Sequence, residues 1–174
     1  MCYHTLDHTL DVQKVAKQIL HKENIEMHTG LIIETAALFH DAGMLITYKD
    51  HELASVDIAR KSLPTFAYSA AEIDEVCDLI MATRLPQKPL THEGYILCDA
   101  DMDNLGRDDF LLKSFQIKLE MEMNRITMPP LKNWLMNLVQ FLEEHVYYTA
   151  SAIELRQARK MQNLAELREI VSLY

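Results

Sequence analysis

The chain is poor in residues that break regular structure, with 4 glycines and 5 prolines in 174 residues. So few turn formers argue against many short strands and for long helices with short connections. No apolar run approaches the roughly 20 residues that a membrane span needs. No basic segment followed by an apolar one opens the chain as a secretory signal does. Neither a membrane partner nor secretion is therefore expected. Cysteine is scarce and odd in number, at Cys2, Cys77 and Cys98, which suits reduced thiols in the cytoplasm better than a disulfide frame. Positive charge is also short: 17 Lys and Arg face 26 Asp and Glu, for a net charge of −9. That balance disfavours a nonspecific grip on nucleic acid. It disfavours polyanionic ligands too, unless a bound cation and a few placed basic residues invert the local field. What is present is an ordinary globular mix, 49% hydrophobic and 25% charged, long enough to bury a core as one domain over residues 1–174.

The pattern predicts an all-α fold of about seven to eight helices. Leu10, Val15, Ile19 and Leu20 recur at helical spacing over about Leu6 to Lys22. A second helix covers about Ile25 to Asp41. It is apolar on most sides through Leu31-Ile32-Ile33 and Ala36-Ala37-Leu38-Phe39, as expected of a central, buried helix. Ala42-Gly43 stops it. A third runs from about Asp50 to Ser62. Ser69-Ala70-Ala71-Glu72 is a capping box that opens a fourth, which ends before Pro86. Thr91 caps a fifth that ends at Gly106, and Asp108 starts a sixth that runs to about Ile126. Pro129-Pro130 makes the clearest break. Helices over about Leu131 to Glu144 and Tyr148 to Val171 follow, and the segment 131–172 is expected to pack on the rest. The last helix carries Tyr148, Ala152, Leu155, Ala158, Met161, Leu164, Leu167 and Ile170 on one stripe. Core packing is its expected use, with a homodimer seam as the alternative.

Three short segments carry the chemistry: Tyr3-His4-Thr5-Leu6-Asp7-His8, His40-Asp41 and Asp99-Ala100-Asp101. Imidazole and carboxylate bind divalent cations through nitrogen and oxygen. His4 and His8, four apart, share one helix face. His40-Asp41 sits at the end of the most apolar helix, where burying both is costly unless something pairs with them. A His alone would be a common helix C-terminal residue, but an Asp there opposes the helix dipole. Asp99, Asp101 and Asp103 repel one another unless a cation or a spread around the helix relieves them. Asp99 and Asp101 are about 200° apart on a helical wheel, so both cannot easily face one ion. Arg84, Lys88 and Arg107 are cations close in sequence to these segments, of the type a phosphate binds.

The order His…His-Asp…Asp resembles the signature of the HD superfamily of metal-dependent phosphohydrolases, from about Tyr3 to Phe110, with Leu38-Phe39-His40-Asp41-Ala42-Gly43 its strongest part. Tyr3-His4-Thr5-Leu6-Asp7-His8-Thr9-Leu10-Asp11-Val12 is also similar to the first motif of cyclic-nucleotide phosphodiesterases, with Thr5 where that family has Asn. The resemblance implies an HD-like helical bundle with its motif core in residues 3–110. It implies His8, His40, Asp41 and Asp101 as metal ligands, with Asp99 the runner-up to Asp101, and His4 as general acid. It also implies a role for His51 or Glu52 on the water or the substrate, and phosphate binding by Arg84 and Lys88. The later histidine pair of two-metal members is missing, since the corresponding stretch reads Ile80-Met81-Ala82-Thr83-Arg84, so one firm metal is expected. HD domains usually carry a helix before the first motif, which here opens at residue 3.

The function expected from the resemblance is hydrolysis of a phosphate ester or anhydride, a nucleotide or related small molecule. The implied cofactor is a divalent cation, and Mn, Fe, Ni, Co, Zn and Mg all accept such ligands. The alternatives are a non-catalytic or regulatory domain with a structural metal, and an oxygenase with two irons.

Overall fold

Capping side chains open five of the eight α-helices in the computed structural model, which describes residues 1–174. It has eight α-helices and no strand, as the sequence predicts, together with three short 3₁₀ turns. α1 (Leu6–Lys22) starts where Thr5 Oγ1 accepts from the His8 N–H. α2 (Met27–Phe39) starts on the Glu26 carboxylate, which accepts from the N–H groups of His28 and Thr29 at 2.9 and 3.2 Å. α3 spans His51–Ser62. α4 (Ala70–Ala82) opens on the reciprocal Ser69–Glu72 capping box, and α5 (His92–Asp101) on Thr91. α6 (Phe110–Met123), α7 (Leu131–Glu144) and α8 (Ala150–Ser172) follow, the last capped by Thr149. The chain divides into two compact units, His4–Met102, and Asp103–Tyr174 together with Met1–Tyr3.

In the N-terminal unit α2 is the centre and packs against α1, α3, α4 and α5. Its buried residues include Gly30, Ala36 and Ala37, whose small size lets neighbouring helices approach, and Ile32 and Ile33, which fill the space between them. Burying an Ile side chain in this way stabilises the fold by about 1.5–3 kcal/mol.

α2 ends at Phe39 and not at Asp41 as the sequence predicts. His40 keeps helical dihedrals, whereas Asp41 departs at φ −107° and ψ 7° and leads into a 3₁₀ turn, Ala42–Leu45. Gly43 is not a left-handed helix terminator, because no glycine here has a positive φ. It is needed for close approach: a Cβ there would lie 2.0 Å from the His51 carbonyl oxygen and 2.6 Å from the Ser55 nitrogen. The start of α3 therefore rests directly on the turn that follows His40-Asp41. Ser55 joins the two by accepting from the Gly43 N–H at 2.8 Å and donating to the His40 carbonyl at 2.7 Å.

The C-terminal unit contains α6, α7 and α8, with a 3₁₀ turn at Asp103–Gly106 seated on α8. Here the sequence stripe on the last helix needs correction. Ala152, Leu164 and Leu167 are buried, but Leu155 and Met161 are 36% and 49% exposed. The polar residues Lys160 and Asn163 are buried in their place. The reason is hydrogen bonding. The Asn163 amide donates to the carbonyls of Leu105 and Arg107, both at 2.9 Å, and Lys160 Nζ donates to the His145 carbonyl at the end of α7. Satisfied polar groups can be buried, and an apolar stripe read from spacing cannot show which ones will be.

Candidate metal centre

Four chain segments deliver the side chains of the centre: the start of α1 with His4 two residues before it, the end of α2, the start of α3, and the end of α5. His40 is 1% exposed. Its Nδ1 donates to the Ala37 carbonyl at 2.8 Å, which fixes the ring and leaves Nε2 to face the site. His40 Nε2 is buried and makes no hydrogen bond. What it faces is Asp41 Oδ2 at 3.1 Å and Asp101 Oδ1 at 3.5 Å. His8 Nε2 lies 3.3 Å from the same Asp41 oxygen and 3.7 Å from the same Asp101 oxygen.

These separations decide what the cluster can do. Ligand atoms at about 2.1 Å from one ion lie about 3.0 Å apart at octahedral neighbours and about 3.4 Å apart in a tetrahedron. The Nε2 atoms of His40 and His8 lie 3.1 and 3.3 Å from Asp41 Oδ2, within that range, and 3.5 and 3.7 Å from Asp101 Oδ1, just outside it. His8, His40 and Asp41 alone each offer an atom within 4.8 Å of the others, as a group that could hold a metal. Two imidazoles and two carboxylates would balance a divalent charge and accept it through borderline and hard donors.

The remaining sequence-predicted residues fall around this core. His51 Nε2 lies 3.2 Å from the other oxygen of Asp41, Oδ1, and 3.6 Å from Glu52 Oε1. Its Nδ1 faces the Tyr48 carbonyl at 3.3 Å. His4 Nε2 lies 3.9 Å from Asp41 Oδ2, with its ring 6.1 Å from those of His51 and Tyr48. Asp41 is thus shared, with one oxygen toward His8 and His40 and the other toward His51.

Between Asp101 and Asp99, it is Asp101 that stands beside His8 and His40. Asp99 is fully buried on another face of α5. Arg84 is engaged by the Asp50 carboxylate. Lys88 is exposed, on the rim of an open groove with Thr29, Glu75, Asp78 and Glu93. Arg107 pairs with Asp103 and Asp109 in the other unit.

Without a cation the histidines and carboxylates serve as each other's counterions. Burial pushes the His40 pKa down, but Asp41 and Asp101 outweigh it and hold it well above the usual imidazole range. Burial likewise pushes Asp41 up, and His40, His51 and His8 outweigh it and hold it well below the usual carboxylate range. Burial lowers His51, and Asp41 and Glu52 outweigh that too, so its pKa is raised.

Sequence reasoning missed the parts that carry no motif. Gln87 Nε2 donates to Asp101 Oδ2 at 3.2 Å. Tyr48 offers its carbonyl to His51 and its ring to His4. Neither position has a residue type or spacing that announces it.

The description "HD domain" belongs to the family model that matches residues 5–103, more than half of the chain. The resemblance read from the motifs is thereby borne out. An uncharacterized protein of Clostridium beijerinckii is 33% identical over 86 residues, 48% of this chain and 54% of the relative. The chain thus spans about half the length of the curated relative it matches. The predicted HD superfamily hydrolase from an uncultured Thermotogales bacterium superposes with a TM-score of 0.64 at 20% identity, over 97% of this chain and 80% of that one. Bacillus subtilis YpgQ in complex with ADP gives a TM-score of 0.64 at 23% identity, over 94% and 85%. At these identities the likeness shows the fold.

Proposed function

This chain belongs to the HD domain family, and we propose that it is a metal-dependent phosphohydrolase acting on a small phosphate ester or anhydride. The observation that carries this reading is the convergence of His8, His40, Asp41 and Asp101 at 3.1–3.7 Å, around a buried His40 Nε2 that makes no hydrogen bond. We assign those four as the residues that hold a divalent cation. Such a cation supplies Lewis acidity toward a water and a phosphoryl oxygen.

The protein's own groups do the rest. His51 and Glu52, 3.6 Å apart, are placed to take a proton from the attacking water. His4, at the edge of the cluster and part-exposed, is placed to give a proton to the departing oxygen. The basic residues proposed for the substrate phosphate are Arg84, which the Asp50 carboxylate engages, and Lys88, which is exposed on a groove that Glu75, Asp78 and Glu93 also line. A nucleotide is the favoured substrate class, supported by the ADP held by the structural neighbour from Bacillus subtilis.

The test is elemental analysis of the purified chain beside the double variant His40→Ala, Asp41→Ala, with both assayed on a panel of nucleotides and phosphate esters. About one divalent metal per chain, lost in the variant together with phosphate release, is the expected result. Metal without turnover on any compound would favour a regulatory domain with a structural metal. Oxygen consumption with a coloured iron centre would favour an oxygenase. No metal in either protein after addition of Mn or Ni would mean that the cluster is not a metal site.

A further inference from the structure

Gln87 lies in the loop between α4 and α5, outside every motif that points to the centre. We propose that Gln87 is a positioning residue for that centre, holding Asp101 in the orientation in which its carboxylate serves as a ligand. The inference rests on the metal-binding reading above.

The two oxygens of Asp101 have different surroundings. Oδ2 accepts from Gln87 Nε2 at 3.2 Å. Oδ1 faces His8 and His40 at 3.7 and 3.5 Å. Tying one oxygen down stops the carboxylate from rotating and keeps the other aimed at the imidazoles. An amide suits this role, because a cationic donor would repel the metal and an acidic residue would compete for it.

The loop that presents Gln87 is anchored where it leaves α4. The Arg84 guanidinium binds the Asp50 carboxylate just before α3. The Thr83 hydroxyl donates to the Ile80 carbonyl at 2.8 Å at the end of α4. The Cys98 thiol donates to the Ala82 carbonyl at 3.2 Å, which ties α5 to the same end. The helix that carries Asp101 and the loop that carries Gln87 therefore share one support, so their relative placement is held by more than a single bond. Outer partners of this kind change metal affinity by about 10–100-fold when removed.

The test is a Co²⁺ titration of metal-free wild type, Gln87→Met and Gln87→Ala against a competing chelator, read by the visible spectrum of the bound ion. Gln87→Met keeps the length of the side chain and removes its amide, donor and acceptor together. The expected result is a Kd for Co²⁺ raised about tenfold or more in both variants, with a shifted absorption band. The melting temperature of metal-free Gln87→Met should match wild type. Packing alone predicts that Gln87→Met behaves as wild type. A Kd within about twofold and an unchanged band for that variant overturns the inference, whatever Gln87→Ala does, and leaves the metal reading intact. A wild-type chain that binds no Co²⁺ overturns the metal reading and this inference with it.

Discussion

In the C-terminal unit, Glu120, Asp103 and Lys160 are buried beside partners that answer them: the backbone N–H groups of Cys2 and Tyr3, the Arg156 guanidinium, and the His145 carbonyl. In the N-terminal unit, the imidazoles of His8 and His40 face the carboxylates of Asp41 and Asp101. Both arrangements keep charge out of water. The first closes on itself and stabilises packing. The second includes a group, His8, His40 and Asp41, that could hold a metal ion. Buried charge therefore says little by itself, and the direction in which the atoms point says what it is for.

The largest effect that sharpens this contrast comes from Asp101→Ala beside Asp99→Asn. The first should lower phosphate release roughly a thousandfold, about 4 kcal/mol of transition-state stabilisation, and deplete the metal. The second should keep its metal, although Asp99 is the more buried of the two. Kinetics with elemental analysis on both variants decides between them.

Gly43→Ala attacks the seat of the centre. The added Cβ would meet the His51 carbonyl at 2.0 Å, so α3 must move away from the His40-Asp41 turn. A loss of about 3 kcal/mol in urea denaturation is expected, with weakened metal binding. Unchanged metal affinity would show that the seat can shift without disturbing the ligands.

Lys160→Met is the counterpart in the other unit. It keeps the apolar stem and removes the donor to the His145 carbonyl. A loss of about 2 kcal/mol is expected in urea denaturation, with metal content and turnover untouched. Loss of metal would break the distinction between the two units.

The smallest effect is a pH dependence at His145. Burial, and then Lys160, lower its pKa to about 4, so the folded protein holds it neutral where the unfolded chain, at about 6.5, begins to take up a proton. Its contribution is fully present above about pH 6.5, is lost as the pH falls toward about 4, and is constant below that. Solvent access holds the change to about 1 kcal/mol. His145→Phe should flatten that part of the stability profile relative to wild type, and an identical slope in both proteins would remove His145 as its origin.

Much of the fold is legible in the sequence because helix formation is local. Ser69 and Thr91 each cap a helix, as read from the sequence, and the apolar run of α2 forms the buried centre of its unit. The stripe on the last helix misleads because burial of Lys160 and Asn163 depends on carbonyls far away in sequence. The same division holds at the centre. Residue type and order by themselves determined the candidates His4, His8, His40, Asp41 and the Asp99/Asp101 pair, since few side chains bind cations and helical spacing puts chosen pairs on one face, while His51 and Glu52 came from the family resemblance. Only the tertiary structure decided that Asp101 stands beside His8 and His40, that Asp41 is shared between two sides, that Arg84 is engaged by Asp50, and that Gln87 reaches Asp101. Those facts concern atoms brought together from distant segments, and their positions follow from helix packing and a glycine-seated turn that no local pattern encodes.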